Sequence, residues 1–200
     1  MHCVVKSAMG LRDQRLAETF LRLNTVARRL AAAEGLSSFT VEQVCDEAGV
    51  SRRTFFNHFA SKEDAVLGVW LRNDHDEAEE AFVWGTRALI DDLAELLVAR
   101  WELMQLTAAD ARELWQAFGR EPRLLARVLE LTRVQEVADI ALVERREHLP
   151  AGDLRAAIVV QLMGAVLRGS VEATLEAQSD QSVRAVFTER LAVARKVFSA

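Results

Sequence analysis

Apolar residues recur at helical spacing along most of the chain. Leu16, Phe20, Leu23, Ala27 and Leu30 form one stripe, and Arg12, Arg15, Arg22 and Arg29 lie off it. Gly35 is expected to end that helix. "TVEQ" then reads as a capping box, with Thr40 as N-cap and Gln43 reaching back. The helix it opens carries Val41, Val44, Cys45 and Ala48 and stops at Gly49. Ser51 caps a third helix, which is expected to end near Phe59 and Ala60. The two short helices are joined by "GVS", a turn tight enough to need a left-handed glycine. Phe55 and Phe59 share one face of the third helix and point to a common core.

Longer helices follow. "SKED" (Ser61 to Asp64) is an N-terminal signal with two acids in its first turn, and the pattern predicts one helix from about Ser61 to Trp84. Others are predicted over Thr86 to Leu103, over Thr107 to Gly119, from Pro122 to about Leu149, from Asp153 to Ala177 and from Gln181 to Phe198. Pro122 fits a first turn, where a missing N–H costs nothing, and Pro150 with Gly152 forms a break.

Ala, Leu, Glu and Arg dominate, with two prolines and nine glycines in 200 residues. This is the composition of an all-α protein. The expected division is an N-terminal arm with a three-helix, helix-turn-helix domain over residues 1–60, and a C-terminal helical bundle over 61–200. Cys3 and Cys45 are far apart and lack a CxxC partner, so a disulfide framework is excluded and a reducing compartment fits. No run approaches eighteen consecutive apolar residues, so no membrane span is expected. "MHCVVKSAMGLRDQR" reads as a flexible arm on a cytoplasmic protein.

The net charge of −5 is uneven. Residues 1–67 hold 9 Lys/Arg against 8 Asp/Glu, and residues 68–200 hold 16 against 22. The acidic total argues against a protein that coats nucleic acid indiscriminately. It leaves room for a local basic surface, because a phosphate meets the short-range field.

Such a surface has a location. In "SRRTFFNHF" (Ser51 to Phe59), Arg52 and Arg53 begin the third helix on the side away from Phe55 and Phe59. The second helix of a DNA-binding helix-turn-helix enters the major groove N-terminus first, where arginine makes bidentate contacts to guanine O6 and N7. Thr40, Asn57, His58 and Lys62 stand around the pair and are able to bind phosphate. A solvated arginine pair on an ordinary helical hairpin is the plainer reading. The short helices, the glycine turn, the capping serine and the polar rim together argue against it.

"FTVEQVCDEAGVSRRTFFNHFASKEDAVL" (Phe39 to Leu67) resembles the DNA-binding domain of the TetR family of bacterial transcriptional regulators. That family typically reads T-V-x-x-I-A-x-x-A-G-V-S-x-x-T-L-Y-x-H-F-x-S-K-E-x-L. The resemblance covers about thirty residues plus the preceding helix. It implies base contacts from Arg52 and Arg53, and phosphate contacts from Thr40, Ser51, Thr54, Asn57, His58 and Lys62. The family's usual tyrosine is Phe56 here, so a hydroxyl bond to phosphate is lost, although the ring can still pack on the sugar backbone.

The resemblance also implies a homodimer, double-stranded operator DNA as partner and a small-molecule effector in the C-terminal half. "AAIVVQLMGAVL" (Ala156 to Leu167) supports the dimer independently, since a helix apolar nearly all round must be covered on two sides. Val183, Val186, Phe187, Leu191, Ala194 and Phe198 offer a second seam, and two such helices per protomer make a four-helix interface. Trp84, Trp101, Met104, Leu114, Trp115 and Phe118 are candidate walls of an apolar pocket. Arg168 interrupts an apolar helix; it is either an anchor for an anionic head group or the i, i+4 partner of Glu172.

No cofactor, metal or catalytic site is expected. His75 and Glu79 share a helix face but have no convergent ligands, and the acidic "NDHDEAEE" reads as a solvated surface. No nucleophile constellation stands out, nor any phosphate-binding glycine loop. The expected function is a repressor released by a hydrophobic or anionic amphipathic ligand. An activator or ligand-insensitive regulator with the same head, and a helical-bundle enzyme carrying an accidental motif, are the rivals.

Overall fold

The computed structural model describes residues 11–69, 76–104, 106–176 and 181–199, and every element among them is helical. The helices are α1 (Leu11–Glu34), α2 (Val41–Ala48), α3 (Arg52–His58), α4 (Lys62–Leu67), α5 (Asp76–Val83), α6 (Leu89–Leu103), α7 (Ala108–Arg120), α8 (Pro122–Glu147), α9 (Leu154–Glu176) and α10 (Val183–Phe198). Residues 1–10 of the expected N-terminal arm and His75 lie outside the described residues, whereas Leu11 to Arg15, expected as part of that arm, begin α1.

The chain divides into two compact units. The first takes residues 1–72 and 113–125, and the second takes 73–112 and 126–200. The expected boundary after residue 60 therefore differs from the packing. α4 groups with the head, and so does the corner where α7 meets α8.

In the first unit the stripe of α1 packs on α2 and α4. Phe20, Leu23, Ala27, Leu36, Phe39, Val44, Phe55 and Phe59 are buried together with Ala117 and Leu124 from the α7–α8 corner. The Phe20 and Phe59 rings stack at 5.0 Å. Two buried polar residues of α1 complete the end of α4. Asn24 Nδ2 donates to the carbonyl of Ala65 at 2.5 Å, and Arg28 Nε donates to that of Val66 at 3.3 Å. These are last-turn carbonyls that α4 itself leaves without a partner.

The long helix expected from Ser61 to Trp84 does not form. α4 ends at Leu67 because Gly68 adopts a left-handed conformation, φ 75°, and its N–H closes the helix on Asp64. Glycine takes this conformation without penalty. α4 thus lies wholly in the first unit. The helices whose residues divide between the units are α7 and α8.

The second unit has a core of Phe82, Val83, Leu93, Leu96, Val98, Leu142, Val143, Ala156, Val160, Met163 and Phe187. Two charged clusters are buried within it. Arg146 Nη2 pairs with Asp92 at 2.6 Å and donates to the carbonyl of Arg87 at 2.8 Å. Arg100 pairs with Asp139 at 2.5 Å and with Glu79 at 2.8 Å. Arg184 forks onto Glu95 and Glu102 and ties α10 to α6. Leu154–Thr174 of α9 reaches a mean hydropathy of 1.4 and is long enough to cross a membrane, with 22% of that stretch buried. The sequence pattern had suggested no such stretch, because Arg155, Gln161 and Arg168 interrupt the run. In this fold the helix packs on α6 and α10.

Candidate nucleic-acid interface

Three local devices fix the geometry of α2 and α3. Thr40 starts α2 with a complete capping box: the Gln43 amide donates to Thr40 Oγ1 at 3.3 Å and the Thr40 amide donates to Gln43 Oε1 at 2.7 Å. Gly49 closes α2 in the left-handed region, φ 67°. Ser51 then starts α3, with the Thr54 amide donating to its Oγ at 3.1 Å. Phe55 and Phe59 point inward and are fully buried.

This burial leaves Arg52, Arg53, Phe56 and Asn57 exposed on one face of α3. The Phe56 ring is 45% exposed, meets Phe55 edge-on at 5.3 Å, and lies under the Arg52 guanidinium at 5.9 Å. Arg52 also pairs with Glu42 of α2 at 2.7 Å. Arg29 of α1 pairs with Glu47, so α2 acids are tied to arginines on both neighbouring helices. Main-chain hydrogen bonding in the first turn of α2, then the charge of Arg52, hold the Glu42 carboxyl below the usual carboxylate range.

The other expected contacts are placed less uniformly. The hydroxyls of Thr40 and Ser51 serve as caps, and Thr54 is half-buried with its hydroxyl 2.9 Å from that of Ser51. His58 is 2% exposed, which is at odds with a phosphate contact in this conformation. Lys62 turns back into the head. Its Nζ donates to the carbonyls of Leu36 and, at 3.1 Å, Phe39, and lies 5.1 Å from the Phe39 ring centre. The three partners hold the ammonium against the α1–α2 loop. Cys45 is free and buried, and burial pushes its thiol pKa up, as befits an inert packing residue.

A family profile described as bacterial regulatory proteins, tetR family, matches residues 24–68, which run from the middle of α1 through Gly68. The HTH-type transcriptional regulator TcmR of Streptomyces glaucescens is 45% identical over 58 residues, covering 29% of this chain and 26% of that protein. The segment from the middle of α1 through Gly68 is thus a TetR-type DNA-binding head. The matched part spans about a quarter of the curated relative's length, so the likeness concerns the TetR head.

The residues expected to line an effector pocket divide between the two units. Trp84 is 78% exposed at the end of α5. Trp101 and Met104 are half-buried at the end of α6, and Arg168 is exposed on α9. Leu114 and Phe118 are half-buried and belong to the unit that holds the head, whereas Trp84, Trp101, Met104 and Arg168 belong to the other. The Trp115 side chain lies outside the described residues. The second unit does hold an open cleft of about 480 Å³ between α6 and α10. Its floor is Val98, Phe187 and Leu191, and its rim is Asp91, Glu95, Arg184 and Arg195. Sequence reasoning missed these rim arginines because, along a single helix, they look like ordinary solvated charges. Among the described residues no group of His, Cys, Asp and Glu is arranged to hold a metal.

Proposed function

We propose that this chain is a homodimeric, cytoplasmic, sequence-specific DNA-binding regulator of transcription rather than an enzyme. The observation that carries this reading is the α3 face of Arg52, Arg53, Phe56 and Asn57, exposed on a helix whose position is fixed by the Gly49 turn and two side-chain caps. A planar guanidinium at that end suits guanine in the major groove, and Asn57 suits phosphate or a base edge. The exposed apolar faces of α9 (Leu154, Ile158, Leu162) and α10 (Val193, Val197, Phe198) support a dimer seam. Two heads related by a two-fold axis read a palindrome whose half-sites are about 34–36 Å apart.

The sign of regulation we favour is repression relieved by a small apolar or anionic amphipathic effector held by the second unit. Ligand would shift the dimer toward a head spacing that no longer matches successive major grooves. Selection from a randomised duplex pool tests the core of the reading. Enrichment of a palindromic motif, with salt-dependent binding to it, supports the assignment; binding that ignores sequence sinks it. Release of the selected duplex by a ligand separates the inducible repressor from a ligand-insensitive regulator.

A further inference from the structure

The two arginines that open α3 are not equivalent. Both side chains are exposed, but Arg52 is held and Arg53 shows no ion pair among the described residues. Arg52 is held from two sides, by the Glu42 carboxylate at 2.7 Å and by the Phe56 ring at 5.9 Å. Glu42 sits in the first turn of α2, within the capping box between Thr40 and Gln43, and Arg52 sits just after the Ser51 cap. Both backbone positions are therefore set by side-chain hydrogen bonds, and the distance between the two helix starts is set by the Gly49 turn.

A carboxylate on a surface that faces DNA is otherwise a disadvantage, because it repels phosphate. It has a use where it restrains a cation. A guanidinium carries five N–H donors in a rigid fork, so one edge can stay on Glu42 while the other meets guanine O6 and N7. We propose that Glu42 is a specificity-determining positioning residue. It holds the guanidinium of Arg52 for a guanine, and it discourages Arg52 from leaving to contact a phosphate in a wrong register. This rests on the DNA-reading assignment above. The pair itself is an exposed one, with side chains 63% and 51% accessible, so it adds little to folding and its role can be tested without unfolding the head.

The test uses the full chain and a duplex pool with a randomised centre. Wild type, Glu42→Gln, Arg52→Ala and the double variant are each selected, and bound sequences are read out. The wild type should enrich a palindrome with a guanine in each half-site that Arg52→Ala no longer requires. Glu42→Gln should weaken that same guanine preference, on the order of tenfold, and leave the other positions alone. It should also bind an unrelated duplex more tightly and steepen the salt dependence by about one ion, as Arg52 becomes free for phosphate. In the Arg52→Ala background, Glu42→Gln should no longer change base preference, since the effect acts through Arg52. A Glu42→Gln motif identical to wild type, or an equal effect with Arg52 absent, overturns the proposal and leaves the DNA-reading assignment intact. Failure of the wild type to enrich any motif overturns both.

Discussion

The Glu121 carboxylate accepts a hydrogen bond from the main-chain amide of Leu36, 85 positions earlier, at 2.6 Å. The carbonyl of the same residue accepts from Lys62. One peptide segment, at the corner between α1 and α2, is thus held by side chains from α4 and from the junction of α7 and α8. Arg120 adds a third restraint, donating to the Ala32 carbonyl at 2.6 Å. The fit is close, as a Cβ on Gly35 would stand 2.9 Å from Glu121 Oε1.

Glu121→Ala should therefore destabilise the first unit. The Leu36 amide would lose its acceptor beside a side chain that is 2% exposed. Leaving a buried donor unsatisfied costs about 1–3 kcal/mol. Urea unfolding of the variant should show a lower midpoint with an unchanged slope, and Glu121→Gln, which keeps an acceptor, should lose less. Equal stability of Glu121→Ala and wild type would show that water replaces the carboxylate without penalty.

Lys62 gives a second prediction, and it departs from the sequence expectation of a phosphate contact. An ammonium that serves two carbonyls and a ring face is part of the loop's structure. Lys62→Ala should lower stability by about 1–3 kcal/mol through two orphaned carbonyls. The salt dependence of DNA binding should change by less than the one ion expected for a lost phosphate contact. A full one-ion change with no loss of stability would return Lys62 to the DNA surface.

The head was legible because its signals are local. Thr40 with Gln43, Gly49, and Ser51 each act within four residues, and each is found where the periodicity put it. The helix ends at Glu34, Arg120 and Phe198 also fall within a residue or so of the expected stops. What the sequence hid is long-range. Gly68 was read through because apolar spacing continues past it, and nothing local shows that Asn24 and Arg28 wait to take the carbonyls at the end of α4. Glu121, Arg146 and Arg184 look like surface charges along their own helices, yet their partners lie 54 to 89 residues away. Exposure is equally hidden from a local pattern: Trp84, an expected pocket wall, is 78% exposed.

In the second unit the pair of Arg146 and Asp92 should govern acid stability. Burial by itself would raise the Asp92 pKa, but hydrogen bonds from Arg146 and Arg87 and their charges outweigh it and leave the carboxyl below its ordinary value of 3.8. A depressed folded-state pKa adds stability that is fully present above the unfolded value and disappears as pH falls through the folded one. Thermal melts should thus be flat in this respect near neutrality and drop below about pH 4. Asp92→Asn should remove that acid dependence and cost about 3–5 kcal/mol, because it leaves Arg146 buried without its counter-charge. Gly85→Ala should behave similarly, since an added methyl group would strike the Asp92 carboxylate and the Arg146 guanidinium. An Asp92→Asn protein as stable as wild type, with the same acid limb, would remove the pair from this role.

The last prediction concerns the seam expected to join two protomers. Ile158 and Leu162 lie one turn apart on α9, each 46% exposed, with Leu154 at 69% one turn before them. On α10, which packs against α9, Val193 and Val197 are 55% and 66% exposed, and Phe198 is 74% exposed. A Cβ on Gly164 would meet nothing within 4 Å, so the protomer itself does not require a glycine there. Solvent is a poor neighbour for so continuous an apolar strip, and a second copy of the same strip, antiparallel across a two-fold axis, would cover it. Burying a carboxylate there without a counter-charge would cost several kcal/mol per ion. Leu162→Glu, which enters the strip twice in the dimer, should therefore yield monomers by analytical ultracentrifugation at micromolar concentration. The far-ultraviolet circular dichroism should remain helical, because the side chain is exposed in the isolated protomer. The monomer should still bind a single half-site weakly, but lose the tight binding to a palindrome that two tethered heads provide. A Leu162→Glu protein that sediments as a dimer and binds the palindrome as wild type does would place the seam elsewhere on the second unit.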